Sequence, residues 1–159
     1  IMKEVIIDGA NVASINGTGR RDPKRIEIAI GQLDPKADCV KAVLPSFWYR
    51  KRQEFFEDPD ILQNLIHKGE VQLLNGDDDY YMIKYCVENN AFLLTNDKLR
   101  DHRQKEGWTT KHEEWARTHL LDYEIVNGKL LLSKNSEKLL NNAEIENLAT
   151  GSELVIEIR

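Results

Sequence analysis

Three stretches of this sequence deliver aspartate where an apolar run stops. Val5-Ile6-Ile7 ends in Asp8, with a second side-chain oxygen three residues on at Asn11. Val71-Gln72-Leu73-Leu74 runs into Asn75-Gly76-Asp77-Asp78-Asp79, and Phe92-Leu93-Leu94-Thr95 runs into Asn96-Asp97, with Asp101 four residues further. Short apolar runs bounded by turn residues are expected to be buried strands, and in open α/β sheets chemistry collects just beyond the carboxyl ends of such strands. Acids from separate strand ends therefore converge on one edge. All-oxygen donors rich in carboxylate suit Mg²⁺, or Mn²⁺, which keep several waters and bind one or two carboxylates together with substrate phosphate. Phosphodiester hydrolysis is the reaction this best serves, because a metal ion can activate water and offset charge at the leaving oxygen.

Each acid also has a plainer use. Asp8 can close an Asx turn, and Asp77 to Asp79 can cap the helix that follows from Tyr80. One cap explains one acid, not three. The stripe Met82, Ile83, Cys86 and Val87 sets the phase of that helix, and stepping back from Met82 lands on Asp79, whose carboxylate is then directed to the sheet top. A helix beginning at Asp97 would put Asp97 and Asp101 on one face, where like charges repel until a cation arrives. Crowding of the acids is expected to strain the metal-free protein.

The elements that must position these residues are legible at coarse grain. Val12 to Asp22 is polar and glycine-broken and reads as a loop. Asp22 is expected to cap a helix with Pro23 in its first turn and Ile26, Ala29, Ile30 and Leu33 inward. Cys39 to Leu44 reads as a second strand stopped by Pro45, Asp60 to His67 as a helix closed by Gly69, and Asn90 to Thr95 as a fourth strand. Lys111 to Leu121 reads as an amphipathic helix. Asn127-Gly128 signals a hairpin between Tyr123-Val126 and Lys129-Leu132, followed by a helix over Glu137 to Leu148 and a strand over Glu153 to Arg159. The alternation of strands and helices predicts an α/β fold with a central, largely parallel sheet flanked by helices, plus a C-terminal hairpin and helix.

A chain of 159 residues, 41% apolar and 31% charged, suits one globular domain over 1–159. No apolar run approaches the ~20 residues of a membrane helix, so an intracellular, cytoplasmic protein without membrane contact is expected. Cys39 and Cys86 form no CxxC pair, and four scattered histidines assemble no zinc site. The net charge of −5 is the wrong sign for binding nucleic acid by overall field, yet five of these aspartates, Asp8, Asp78, Asp79, Asp97 and Asp101, account numerically for all of it. Basic charge is clustered at Arg20-Arg21 with Arg25, and at Arg50-Lys51-Arg52 beside Phe47-Trp48-Tyr49, with Phe55 and Phe56 behind. Interleaved rings and cations of this kind line single-strand grooves, and they also pack cores beneath a solvated face. Arg25, in the first turn of its helix, can face a phosphate or solvent.

Taken together, Ile6-Ile7-Asp8-Gly9-Ala10-Asn11-Val12, Asp78-Asp79 before Tyr80, and Leu94-Thr95-Asn96-Asp97-Lys98-Leu99-Arg100-Asp101 resemble the NYN branch of PIN-like ribonucleases, nearest to the Regnase-type endoribonucleases. The resemblance covers about Lys3 to Ser133, leaving 134–159 as an extension. It implies a five-stranded parallel sheet and an acidic Mg²⁺ site of Asp8, Asp78, Asp79, Asp97 and Asp101, with Asp8, Asp79, Asp97 and Asp101 as metal ligands. It further implies that Asn11 orients the site, that Arg25 touches RNA, and that the substrate is single-stranded RNA. Some members self-associate. Regnase-type proteins carry a CCCH zinc finger and a basic loop before the paired aspartates; this sequence shows no finger, and Asn75-Gly76-Asp77 stands at the loop. RNA affinity is then expected to come from a second copy of the chain or a protein partner.

Other classes compete. A haloacid-dehalogenase-type phosphatase needs a second aspartate two residues after the first, where this chain has Ala10. A non-catalytic RNA-binding or scaffolding module would not need five acids; a 5′-nuclease or toxin-type PIN protein stays an alternative, and closed circular RNA would exclude an obligate exonuclease.

Overall fold

The computed structural model describes residues 2–51, 53–76 and 78–151; Arg52, Asp77 and the expected tail strand over 153–159 lie outside the described residues, as do the side chains of 51, 53, 78 and 143–151. Strands β1 (Glu4–Asp8), β2 (Cys39–Pro45), β3 (Val71–Leu74), β4 (Phe92–Leu94) and β5 (Leu120–Leu121) form one sheet in the order β3-β2-β1-β4-β5, every pair parallel. The chain works outward from β1 through β2 to β3, then crosses to β4 and β5 on the other side. That reversal opens a crevice at the carboxyl ends of β1 and β4, where ligands of such sheets bind.

Side chains alternate across the strands, so each face has its own core. Val5, Ile7, Ala42, Leu44 and Leu94 pack beneath α1 (Gly9–Ala13), α2 (Pro23–Leu33) and α4 (Pro59–His67), with Tyr123 and Leu130 of the hairpin β6 (Tyr123–Val126) and β7 (Lys129–Leu132) in the same cluster. Ile6 and Leu93 face the opposite side, against Met82, Ile83, Cys86 and Val87 of α5 (Asp78–Asn89) and Trp115 of α7 (Thr110–His119). Asp8 and Thr95 continue the parity of Ile6 and Leu93. The expected α/β architecture is the one observed, including the antiparallel hairpin, whose Asn127 and Gly128 take φ of 49° and 75° as a type I′ turn needs. The remaining α-helices among the described residues are α3 (Ser46–Lys51), α6 (Arg100–Arg103) and α8 (Lys134–Gly151). No helix among the described residues is long and apolar enough to cross a membrane.

Several boundaries differ from expectation. The segment after Asn11 is not loop from Val12: α1 starts directly behind Asp8 and carries Asn11, Val12 and Ala13. Leu120 and Leu121 leave the expected helix to become the fifth strand. The helix expected from Asp97 begins at Arg100, because Leu99 sits at φ 58° and breaks the α-helical path. A left-handed non-glycine residue costs about 1–3 kcal/mol. Burying the Leu99 side chain, 1% exposed among Ile83, Trp115 and Leu93, contributes roughly 1.5–3 kcal/mol and offsets that strain.

Gly9 lets the first helix lie against the sheet. A Cβ there would stand 2.4 Å from the Val43 carbonyl oxygen, a backbone atom that cannot swing aside, whereas a Cβ on Gly31 in α2 meets open space. Gly9→Ala is therefore expected to destabilise by about 1–3 kcal/mol as overpacking does, and Gly31→Ala to stabilise by roughly 0.5–1 kcal/mol through helix propensity. Urea melts of the two variants beside wild type measure both; equal midpoints for the pair would remove the steric role assigned to Gly9.

Candidate active site

Asp8 closes β1 and is only 7% exposed. Its Oδ1 accepts the Asn11 amide N–H at 3.3 Å, which makes it the N-cap of α1, and its Oδ2 accepts the Thr95 hydroxyl at 2.9 Å. Thr95 Oγ1 in turn accepts the Asp97 N–H at 3.1 Å. One buried hydroxyl thus ties the ends of β1 and β4. Asp97 Oδ1 accepts the Leu99 N–H at 2.8 Å, which shapes the turn ahead of α6.

Asn11 braces the same junction. Its Oδ1 accepts the Asn96 N–H at 3.0 Å and the Tyr123 hydroxyl at 2.9 Å. Asn96 then pairs with the backbone of Tyr123 at both ends of its amide, donating from Nδ2 to the carbonyl and accepting the N–H at Oδ1, each at 3.0 Å. Burial pushes the Tyr123 phenol up to about 12, with the neighbouring Arg25 opposing the shift and Asp8 adding to it. The hydroxyl is therefore a donor throughout the neutral range.

Asp79, in the first turn of α5, is half-buried with Oδ2 3.6 Å from His102 Nε2. Asp79, Asp97, Asp101 and His102 line one shallow concavity at the sheet edge, and Asp8 joins it through Thr95 rather than by lining it. Asp78 opens α5, and its side chain is outside the described residues. Among the described residues, Asp8 accepts the Thr95 hydroxyl, Asp97 accepts the Leu99 N–H, and Asp79 lies beside His102. Among the described residues no three Asp, Glu, His or Cys side chains stand close enough to hold a metal ion. The donor chemistry is that of a hard divalent ion, so a hydrated one carried by one or two carboxylates fits better than a closed protein cage.

The arginines are largely engaged within the protein. Arg25 Nε donates to the Val12 carbonyl at 2.7 Å, fixing the guanidinium beside Tyr123. Arg21 donates to the Ala10 carbonyl at 3.1 Å and stacks 3.7 Å above the Trp48 ring, and Arg20 pairs with Glu57 at 3.1 Å. Arg50 is exposed on α3. Trp48 and Tyr49 pack against the core, and Trp48 makes edge contacts with Phe47, Phe55 and Phe56, so most of this aromatic stretch is structural.

Thr95, Asn96, Tyr123 and His102 were not singled out from the sequence as parts of the site. Thr95 did carry a signal, as a polar side chain in phase with Leu93 on a buried strand. Tyr123 showed none, since its hydroxyl meets Asn11 only through the tertiary fold.

The profile of the Zc3h12a-like ribonuclease NYN domain matches residues 2–146. The chain belongs to that family. A curated relative of this NYN domain, proteinaceous RNase P 2 of Arabidopsis thaliana, is 25% identical over 141 residues, which cover 84% of this chain and 27% of the relative. Two solved structures of that Arabidopsis protein superpose with TM-scores of 0.66 and 0.64 at 22% and 21% identity, each over 84% of this chain and 30% of theirs, a likeness of fold. The NYN domain thus spans under a third of the length of these relatives.

Tyr123→Phe deletes the hydroxyl that holds Asn11 and is expected to cost about 1 kcal/mol near neutral pH. Because the folded phenol lies above the unfolded value near 10, its contribution is fully present below about pH 10 and is lost as pH rises through about 12. Wild type should therefore lose roughly 2 kcal/mol more than Tyr123→Phe over that window. Denaturant melts from about pH 9 to 12 test it, and parallel pH profiles would contradict the buried-phenol assignment.

Proposed function

We propose that this NYN domain is a Mg²⁺-dependent endoribonuclease that hydrolyses phosphodiester bonds in single-stranded RNA. The observation that carries the reading is the link Asp8–Thr95–Asp97 at the topological switch point, with Asp79 and Asp101 on the same edge. The ribonuclease family supplies the substrate class, since its profile covers nearly the whole chain. Asp8, Asp79, Asp97 and Asp101 would hold Mg²⁺ or Mn²⁺, with Asp78 opening the same helix as Asp79. When bound, the ion supplies an activated water and offsets charge on the leaving oxygen.

The chain's own residues do the positioning. Asn11, Asn96 and Tyr123 lock the β1 and β4 ends against each other, so Asp8 and Asp97 keep a fixed relation while substrate enters. Thr95 keeps the buried Asp8 carboxylate hydrogen-bonded and oriented. Arg25, held at Val12, brings a positive charge to the site that a phosphate can meet. A second reading is a non-catalytic RNA-binding module that keeps the ribonuclease fold.

Cleavage of a closed circular single-stranded RNA separates the two, because only an endonuclease can open it. Wild type should linearise the circle with Mg²⁺ and stop in EDTA. Asp8→Asn and Asp97→Asn should fall at least about 100-fold while folded by circular dichroism, since each removes a ligand charge and keeps its shape. Near-wild-type cleavage by either variant, or cleavage indifferent to EDTA, would refute the metal assignment; an inert wild type would leave the binding-module reading.

A further inference from the structure

The acidic concavity continues through His102 into a groove of about 470 Å³ between α5 and the α6–α7 segment. Ile83 and Val87 form its buried floor, while Tyr80, 52% exposed, and Trp108 form aromatic walls. The Trp108 ring is fixed in place: Nε1 donates to Glu113 at 2.6 Å, and the His112 ring lies 5.2 Å away. Three lysines border the groove. Lys84 is paired with Glu88 at 3.1 Å, whereas Lys105 and Lys111 are exposed and make no ion pair among the described residues. The lining charge is net positive even with both histidines neutral, on a chain whose total is −5.

Apolar floor, aromatic walls and a cationic rim form the combination that seats single-stranded nucleic acid, with bases stacked on rings and phosphates met by cations. Arg20 and Arg21 are engaged in internal contacts, and Arg25, held at Val12, does not line this groove. We propose that this groove seats the single-stranded RNA flanking the cleaved phosphate, with Trp108 and Tyr80 against bases and Lys105 and Lys111 against phosphates. The proposal rests on the reading of the aspartate edge as the cleavage site. It assigns the strand a direction of exit, from Asp79 past His102 and along α5, which places the recognition surface on the face of the sheet opposite α2.

The test measures binding without cleavage. A fluorescein-labelled oligouridine of about 12 nucleotides is titrated in EDTA at several salt concentrations, using the full chain. Lys105→Glu/Lys111→Glu should lower affinity at least about tenfold and reduce the slope of log K against log salt by about 1.4, the value for two single-strand phosphate contacts. Trp108→Leu should weaken binding about five- to tenfold with the slope unchanged, and Trp108→Phe should retain most of the affinity. Circular dichroism confirms folding, and the lysine pair, being exposed, decides the outcome if Trp108→Leu does not fold. Wild-type affinity in the lysine variant, no binding by wild type, or a larger loss from Arg20→Glu/Arg50→Glu overturns the proposal. The two readings fail separately: a wild type that binds oligouridine through this groove but never opens circular RNA with Mg²⁺ sinks cleavage alone. A wild type that cleaves while the lysine variant binds unchanged sinks the groove alone.

Discussion

A single hydroxyl group makes the site possible. A carboxylate as buried as Asp8 would cost several kcal/mol if it were left without donors, and Thr95 supplies one from the neighbouring strand end while the first turn of α1 supplies another. Because the same Thr95 oxygen accepts the Asp97 N–H, satisfying one charge also sets the backbone that carries the next. The geometry at the sheet edge follows from this constraint. β1 and β4 must be neighbours, their ends must be level, and the chain must turn into a helix at once behind Asp8. Gly9 permits that turn by allowing α1 to approach the β2 backbone.

Around this link the apolar faces hold and the polar residues aim. Alternation along β1 sends Val5 and Ile7 to one core and Ile6 to the other, which leaves Asp8 on the face where α5 brings Asp79 and α6 brings His102. The loop after β4 is held from three sides: Asn11 from α1, Tyr123 from the hairpin, and buried Leu99 from below. A site made of exposed acids would otherwise drift, since Asp97 and Asp101 have little packing of their own.

Much of this was legible from residue order. β1 to β4 announced themselves as apolar runs stopped by Asp, Pro or Asn, and Asn127-Gly128 marked the hairpin. Asp8 and Asp97 were found because each lies where such a run ends, Asp79 by the phase of the helix after it and Asp101 by its spacing from Asp97. Other features were hidden for specific reasons. β5 is two leucines long and continues the apolar stripe of the helix before it, so periodicity could not divide them. Nothing about Leu99 advertises a left-handed backbone, which is maintained by burial against residues distant in sequence. The arginine clusters looked available because their partners, the Ala10 and Val12 carbonyls, Trp48 and Glu57, are brought to them only by folding. Tyr123 and Asn96 meet across a gap of 27 residues and show no local pattern.

The hairpin lies outside the parallel sheet, yet Tyr123 supplies a backbone pair to Asn96 and a hydroxyl to Asn11. This sets the boundary of the smallest self-sufficient fragment. A chain cut after Leu121 would keep all five sheet strands, yet both ends of the Asn96 amide would lose their partners and the Oδ1 of Asn11 would lose one of its two donors, at the edge where the acids gather. A fragment that keeps this edge intact therefore needs the hairpin through Leu132, where β7 closes it, as well as the sheet.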